Sequence, residues 1–279
     1  MPNLFRTREG AVSAVDSKVQ LTTTGSRTAP GALLVPGNAS FLKAAYIACT
    51  SSNESATQAA WLVRLEGPGL KRGTFTFAAG ADGGAVATGG NTLVPSSRVP
   101  INIAVTPGQE VLVFAEMLGN DQGTGQASVT LEFGSEAGPE GEVKSEITVE
   151  GDITAVDTLT RLTAQGSVTA PSRLTPPDAT MLKRIIYSVC SDAAADGEVT
   201  YMVVLGGDAI KGGEQIITLG SNAFIDVQSG SDAGRVAMGA MILDNLDIEI
   251  TPNETLDVSV EMAGVDIGSA TAVITCQFV

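Results

Sequence analysis

Apolar and polar positions alternate with a period of two along much of this chain. Val111, Val113, Ala115 and Met117 hold one phase, Ala127, Val129, Leu131 and Phe133 hold another, and Ile101, Ile103 and Val105 extend the pattern. Such alternation predicts half-buried β-strands with one face on a core. Turn sequences separate them, among them Thr106-Pro107-Gly108-Gln109, Gly119-Asn120-Asp121 and Gly67-Pro68-Gly69. Each supplies the fixed or positive φ that a tight reversal needs. No long stretch repeats every 3.6 residues, so the regular elements expected are strands.

The pattern occurs twice. A shift of 141 residues places Ala14-Val15-Asp16 on Ala155-Val156-Asp157 and, carried on without a gap, Pro36 on Pro177, Tyr46 on Tyr187 and Cys49 on Cys190. One deletion after Cys49 then brings Trp61-Leu62-Val63 onto Tyr201-Met202-Val203. At an offset of 145, Glu116-Met117 meets Glu261-Met262 and Phe133 meets Phe278. Matches held in register over this length mark an internal duplication.

The organisation expected is a first domain over residues 1–137, a Gly-, Pro- and Glu-rich linker at 138–150, and a second domain over 151–279. About eight strands per repeat are predicted, near residues 11–16, 18–24, 41–50, 58–66, 73–79, 100–106, 110–117 and 125–133. The fold class is therefore all-β: two tandem homologous eight-stranded antiparallel β-sandwiches, jelly-roll-like. An immunoglobulin-like sandwich would carry a Cys-Trp-Cys pattern that is missing here. The Gly-rich stretches 78–98 and 212–235 read as long loops, where contact specificity would sit.

Charge separates the two copies. The 279 residues carry 16 basic and 31 acidic side chains, a net charge of −15, which argues against a specific nucleic-acid partner. Residues 1–137 hold 9 basic and 10 acidic side chains, and residues 138–279 hold 7 and 21, so the second copy carries nearly all the excess. Six lysines beside 31 acids suit a high-salt solvent, where screening removes much of the repulsion. With no histidine, Ser-His-Asp and Cys-His nucleophiles and His-based metal sites are excluded. Cys49, Cys190 and Cys276 are too few for a disulfide framework and read as small buried hydrophobes. No run of about 20 apolar residues predicts a membrane-spanning helix, and no secretory signal is expected, so synthesis in the cytoplasm follows.

Candidate chemistry is thin. Asp121 and Asp266 occupy equivalent hairpins and are weak calcium candidates, read first as turn residues. Glu116 and Glu261 read as solvated strand charges, one per copy where a two-carboxylate hydrolase needs a converging pair. On the same strand phase, Leu112 and Phe114 of the first copy stand where the second has Asp257 and Ser259. Such an apolar patch needs a cover: the second domain, a loop or another subunit. Arg6 and Arg8 give the N-terminus the character of an arm, able to reach a neighbouring subunit, an inner membrane or a genome. Neither an enzyme nor a cofactor is expected.

Two acidic tandem eight-strand sandwiches without a signal peptide or a catalytic set resemble the virus major capsid proteins of the double jelly-roll type, or a related tandem β-sandwich virion surface protein. The resemblance covers the whole chain and rests on architecture. It implies a homotrimer whose six barrels tile an icosahedral capsid shell, contacts with other virion proteins, and residence in the virion. A capsid-decoration, turret or fibre protein is the near variant. A tandem carbohydrate-binding or adhesin module is the alternative of another class, and would display exposed aromatic side chains.

Overall fold

The computed structural model describes residues 3–25, 31–53, 57–84, 90–119, 124–138, 141–191, 198–223, 236–265 and 269–279. All regular elements among them are strands. The first half contains β1 (Leu4–Val12), β2 (Val19–Gln20), β3 (Phe41–Asn53), β4 (Thr57–Glu66), β5 (Thr74–Gly84), β6 (Gly90–Ala104), β7 (Leu112–Gly119) and β8 (Thr124–Gly134). The second contains β9 (Ser145–Ile153), β10 (Thr160–Arg161), β11 (Met181–Ser191), β12 (Glu198–Gly206), β13 (Gln215–Ala223), β14 (Val236–Gly239), β15 (Met241–Leu243), β16 (Ile248–Glu249), β17 (Asp257–Val265) and β18 (Ala270–Phe278).

Among the described residues, pairing between the named strands is antiparallel and forms four sheets. Sheet I runs β1-β8-β3-β6, and sheet II runs β2-β7-β4-β5 with β14 added beyond β5. Sheet III runs β9-β18-β11-β15, with β16 also on β11, and sheet IV runs β10-β17-β12-β13. Sheets I and II, and again III and IV, give the strand order of a jelly roll, two interleaved Greek keys closed into a sandwich. Trp61, Phe75, Phe77 and Phe133 fill the first core. Leu182, Tyr187, Met262 and Phe278 fill the second.

The two halves repeat even in unusual backbone positions. Asp16 and Asp157 both have φ 51°, Asn102 and Asp247 both have φ 51°, and Gly80 and Gly220 have φ 142° and 155°. Left-handed Asn or Asp is uncommon, so its recurrence at matched places marks one backbone used twice. The register differs from the gapless alignment in one respect. Leu42 pairs with Phe133 as Leu182 pairs with Phe278, and Tyr46 with Thr130 as Ile186 with Thr275. Tyr46 is thus equivalent to Ile186, and Cys49 to Val189; the deletion lies before residue 34, because Val35 bonds Gln109 as Thr175 bonds Glu254. A one-residue slip reverses the face of every side chain. Accordingly Tyr46 points outward, whereas Tyr187 points into the core and donates its hydroxyl to the Leu219 carbonyl.

Several expected boundaries move. β1 begins at Leu4 and pairs with β8 along its whole length, so the N-terminal segment is an edge strand of sheet I rather than an arm. Residues 145–150, expected as linker, are the first six of β9. Most of the stretch 78–98 is not a loop but the end of β5 and the start of β6. In the second half the equivalent of β6 is broken into β14, β15 and β16. Its first piece leaves its own sheet and pairs with β5 of the first half, Val236 opposite Gly83 through Gly239 opposite Gly80.

Candidate functional site

The most informative surface is the one by which the halves hold each other. The outward face of sheet II lies on the outward face of sheet III: β5 packs on β9, β11 and β18, and β4 on β11 and β18. Ile186, Cys190, Ala240 and Val273 of the second half belong to the first half's apolar cluster. Removing such side chains from water contributes roughly 25 cal/mol per Å².

β5 would otherwise be an open edge, a row of unpaired peptide groups that invites foreign strands. β14 covers it from Gly80 to Gly83. Lower down, side chains take over. The Ala78 N–H donates to Thr275 Oγ1 at 3.0 Å, Thr275 and Thr148 hydroxyls lie 2.9 Å apart, and Thr148 donates to the Thr76 carbonyl at 2.8 Å. Since Thr148 spends its proton on Thr76, Thr275 donates to Thr148, and the chain of bonds has one direction. The Thr76 N–H donates to Glu146 Oε1 at 3.0 Å. Thr148 and Thr275 sit at matching positions of paired strands on the outward face of sheet III, which is why alternation along β9 and β18 delivers both to one edge.

Beside this clip lies a group of carboxylates. Glu116 is fully buried, accepts the Ser167 N–H at 2.7 Å and stands 3.5 Å from Arg64 Nη2, whose other contact is the Gln165 carbonyl at 3.4 Å. The expectation of a solvated strand charge therefore fails for Glu116, because the second half's loop closes over it; Glu261, its equivalent, is half-exposed. Desolvation, then repulsion from Asp16 and Asp152, pushes the Glu150 carboxyl up to about 7, against the Gly166 N–H that favours its charge. Desolvation pushes Glu146 up to about 8, opposed by the Thr76 N–H and Arg72. Asp16 is raised too, by desolvation first and then by Asp152 and Glu116.

Among the described residues, nothing comparable covers the two equivalent faces. On sheet I, Phe5 is 51% exposed and stands beside Tyr46 with ring centroids 6.1 Å apart. Tyr46 donates to Glu132 at 3.0 Å, Asn3 donates to the other oxygen of that carboxylate, and Arg98 approaches it at 3.5 Å. On sheet IV, Ile216 is 63% exposed and pairs with Val204, next to half-buried Met202. Asp257 and Glu261 flank that strip.

The residues singled out by sequence fall elsewhere. Leu112 and Phe114 are half-buried on β7, with the Lys18 ammonium 4.4 Å over the Phe114 ring. Arg6 is exposed on β1, and Arg8 bonds the Gly31 carbonyl and Thr24 hydroxyl; burial lowers its pKa. Asp121 and Asp266 lie outside the described residues. Among the described residues, no three Cys, Asp or Glu side chains are placed to share a metal ion. Cys49, Cys190 and Cys276 are buried thiols, and desolvation pushes the Cys276 thiol up to about 12. No described helix is long and apolar enough to cross a membrane. Sequence reasoning missed the Thr148–Thr275 clip and the exposed Phe5, Tyr46 and Ile216, since which face stays open depends on how the halves stack.

No family model and no curated protein matches the chain. Among solved structures it is similar to the STIV major capsid protein at 10% identity and TM-score 0.35, covering 98% of this chain and 97% of that one. It is similar to PNGF-II at 12% identity and TM-score 0.42, over 98% and 65% of the two chains. A third likeness, to the triple jelly roll of an archaeal virus turret assembly, has 10% identity and TM-score 0.23, over 98% and 56%. The neighbours thus include virus proteins built on jelly rolls as well as PNGF-II, at a coarse level of similarity.

Proposed function

We propose that this chain is a structural virion protein that assembles with copies of itself, as a homotrimer, into an icosahedral capsid shell. Residues 1–137 and 145–279 act as its two domains, the second beginning with β9. One observation carries the reading: the second barrel is stacked on the first through sheets II and III, while among the described residues the equivalent faces of sheets I and IV are left uncovered, with Phe5, Tyr46 and Ile216 exposed. A contact of head-to-tail kind can be repeated from copy to copy, and a rotation that closes gives a ring. Three copies of two barrels each make a six-barrel ring suited to tiling.

Assembly of the purified full chain tests this. Mass photometry and negative-stain microscopy are expected to find trimers or larger particles; a single chain at every concentration and salt level sinks the proposal. A carbohydrate-binding module is the second reading, favoured by the exposed Phe5–Tyr46 pair with Arg98 6.0 Å from the tyrosine ring. Specific binding on a glycan array would support it.

A further inference from the structure

We propose that the Thr7–Thr130 pair of one copy clips the open edge of β13 in a second copy of this chain, with Phe5 seated on Ile216. This rests on the self-assembly reading and supplies its contact. The warrant is the duplication itself. Thr7 and Thr130 are the equivalents of Thr148 and Thr275, and their hydroxyls also lie 2.9 Å apart, on the outward face of sheet I. Inside the chain, the Thr148–Thr275 pair holds the edge of β5 at Thr76 and Ala78. The equivalents of Thr76 and Ala78 are Ile216 and Thr218, since Ile216 faces Val204 as Thr76 faces Arg64, and Thr218 faces Met202 as Ala78 faces Leu62. Both strands carry the same bulge one step later, so the same peptide groups point away from the sheet.

β13 is the last strand of its sheet among the described residues, so nothing described there covers its outer edge. An open edge is a template for another chain. The paired threonines recur on a face that no other described sheet of the chain covers, which a merely solvated surface does not require.

The substitutions between the two contacts fit two different tasks. Inside the chain, Glu146 bonds the Thr76 N–H. Between copies, the equivalent of Glu146 is Phe5 and that of Thr76 is Ile216, so a polar contact becomes an apolar one. These two side chains are among the most exposed large apolar groups described, at 51% and 63%. Ile186, buried at the inner contact, is replaced by Tyr46, half-open beside Phe5. Each change makes sense if a second copy completes the site, because isolated apolar side chains on opposite ends of the molecule then meet.

The test uses the full chain and its oligomeric state. Phe5→Glu alone and Ile216→Lys alone are each expected to abolish assembly, and the two together in one chain to restore it, because each contact then joins Glu to Lys. Thr7→Val with Thr130→Val removes two hydrogen bonds and is expected to weaken assembly about thirtyfold. Oxidation of the Phe5→Cys, Ile216→Cys double variant is expected to link copies into covalent multimers. Unfolding curves like those of the native chain establish that each variant is folded. If the native chain assembles while the charged single variants assemble equally well, or the cysteine pair fails to cross-link, this contact is wrong and the assembly reading survives. If the native chain never assembles, both fall.

Discussion

Glu116 Oε2 accepts the backbone N–H of Ser167 at 2.7 Å, joining strand β7 of the first barrel to a loop of the second. The carboxylate is fully buried and its ionic partner Arg64 nearly so. A buried pair adds little net stability, but breaking it by removing one member leaves an uncompensated charge. Glu116→Ala is therefore expected to cost about 3–5 kcal/mol in chemical denaturation. Gly166 borders the same oxygen: a Cβ there would overlap the Glu116 carboxylate, and its φ of 55° already disfavours any side chain. Gly166→Ala should destabilise by a further independent route, at least about 1 kcal/mol.

Stability should fall as pH rises. Glu146 and Glu150 titrate near 8 and 7 in the folded chain, against an ordinary 4.5. Between those values the folded state binds more protons than the unfolded one, so unfolding gains as pH increases. Below about 4.5 their contribution is complete, and above about 8 it is gone. The Glu146→Gln, Glu150→Gln double variant keeps acceptors for the Thr76 and Gly166 N–H groups while removing the titration. It should match the native melting temperature at pH 3.5 and exceed it at pH 8.5, by roughly 2–4 °C per kcal/mol recovered. Parallel pH profiles for the two proteins would contradict the assignment.

The thiols offer a test of the cores. Cys49, Cys190 and Cys276 are all buried, and Cys276 is held protonated by its surroundings. Thiolate is the reactive form. A thiol-reactive dye at pH 8 should label none of the three in the native protein and all three in denaturant.

Trp61, the single tryptophan, reports on packing in the first barrel. Gly125 on β8 lies against its six-membered ring, where a Cβ would overlap it. Gly125→Ala should destabilise by about 1–3 kcal/mol and shift the tryptophan emission, because an overpacked core must move one side chain or the other.

Strand identity was legible from alternation because each sheet has one face on a core: Val111, Val113 and Met117 are buried as their phase predicts, and so are their equivalents Leu256, Val258 and Met262. The jelly-roll order follows the same elements. What escaped were properties that one half confers on the other. Glu116 reads as a surface charge until Ser167 closes over it. Thr148 and Thr275 look like ordinary outward threonines until β5 arrives, and 145–150 looks like linker because its polar Glu146, Thr148 and Glu150 face a neighbouring barrel rather than water. Tyr46 and Tyr187 match as letters but face opposite ways, since a one-residue offset change upstream of the strand leaves no local trace.

Light scattering on the purified full chain, across a concentration series at low and high salt, tests the central claim most directly. Sheets I and IV are held to meet between copies as sheets II and III meet within one. The account predicts a species of three times 28.4 kDa, or a multiple of it, that falls to 28.4 kDa in Phe5→Glu. A native chain that remains at 28.4 kDa under every condition contradicts it.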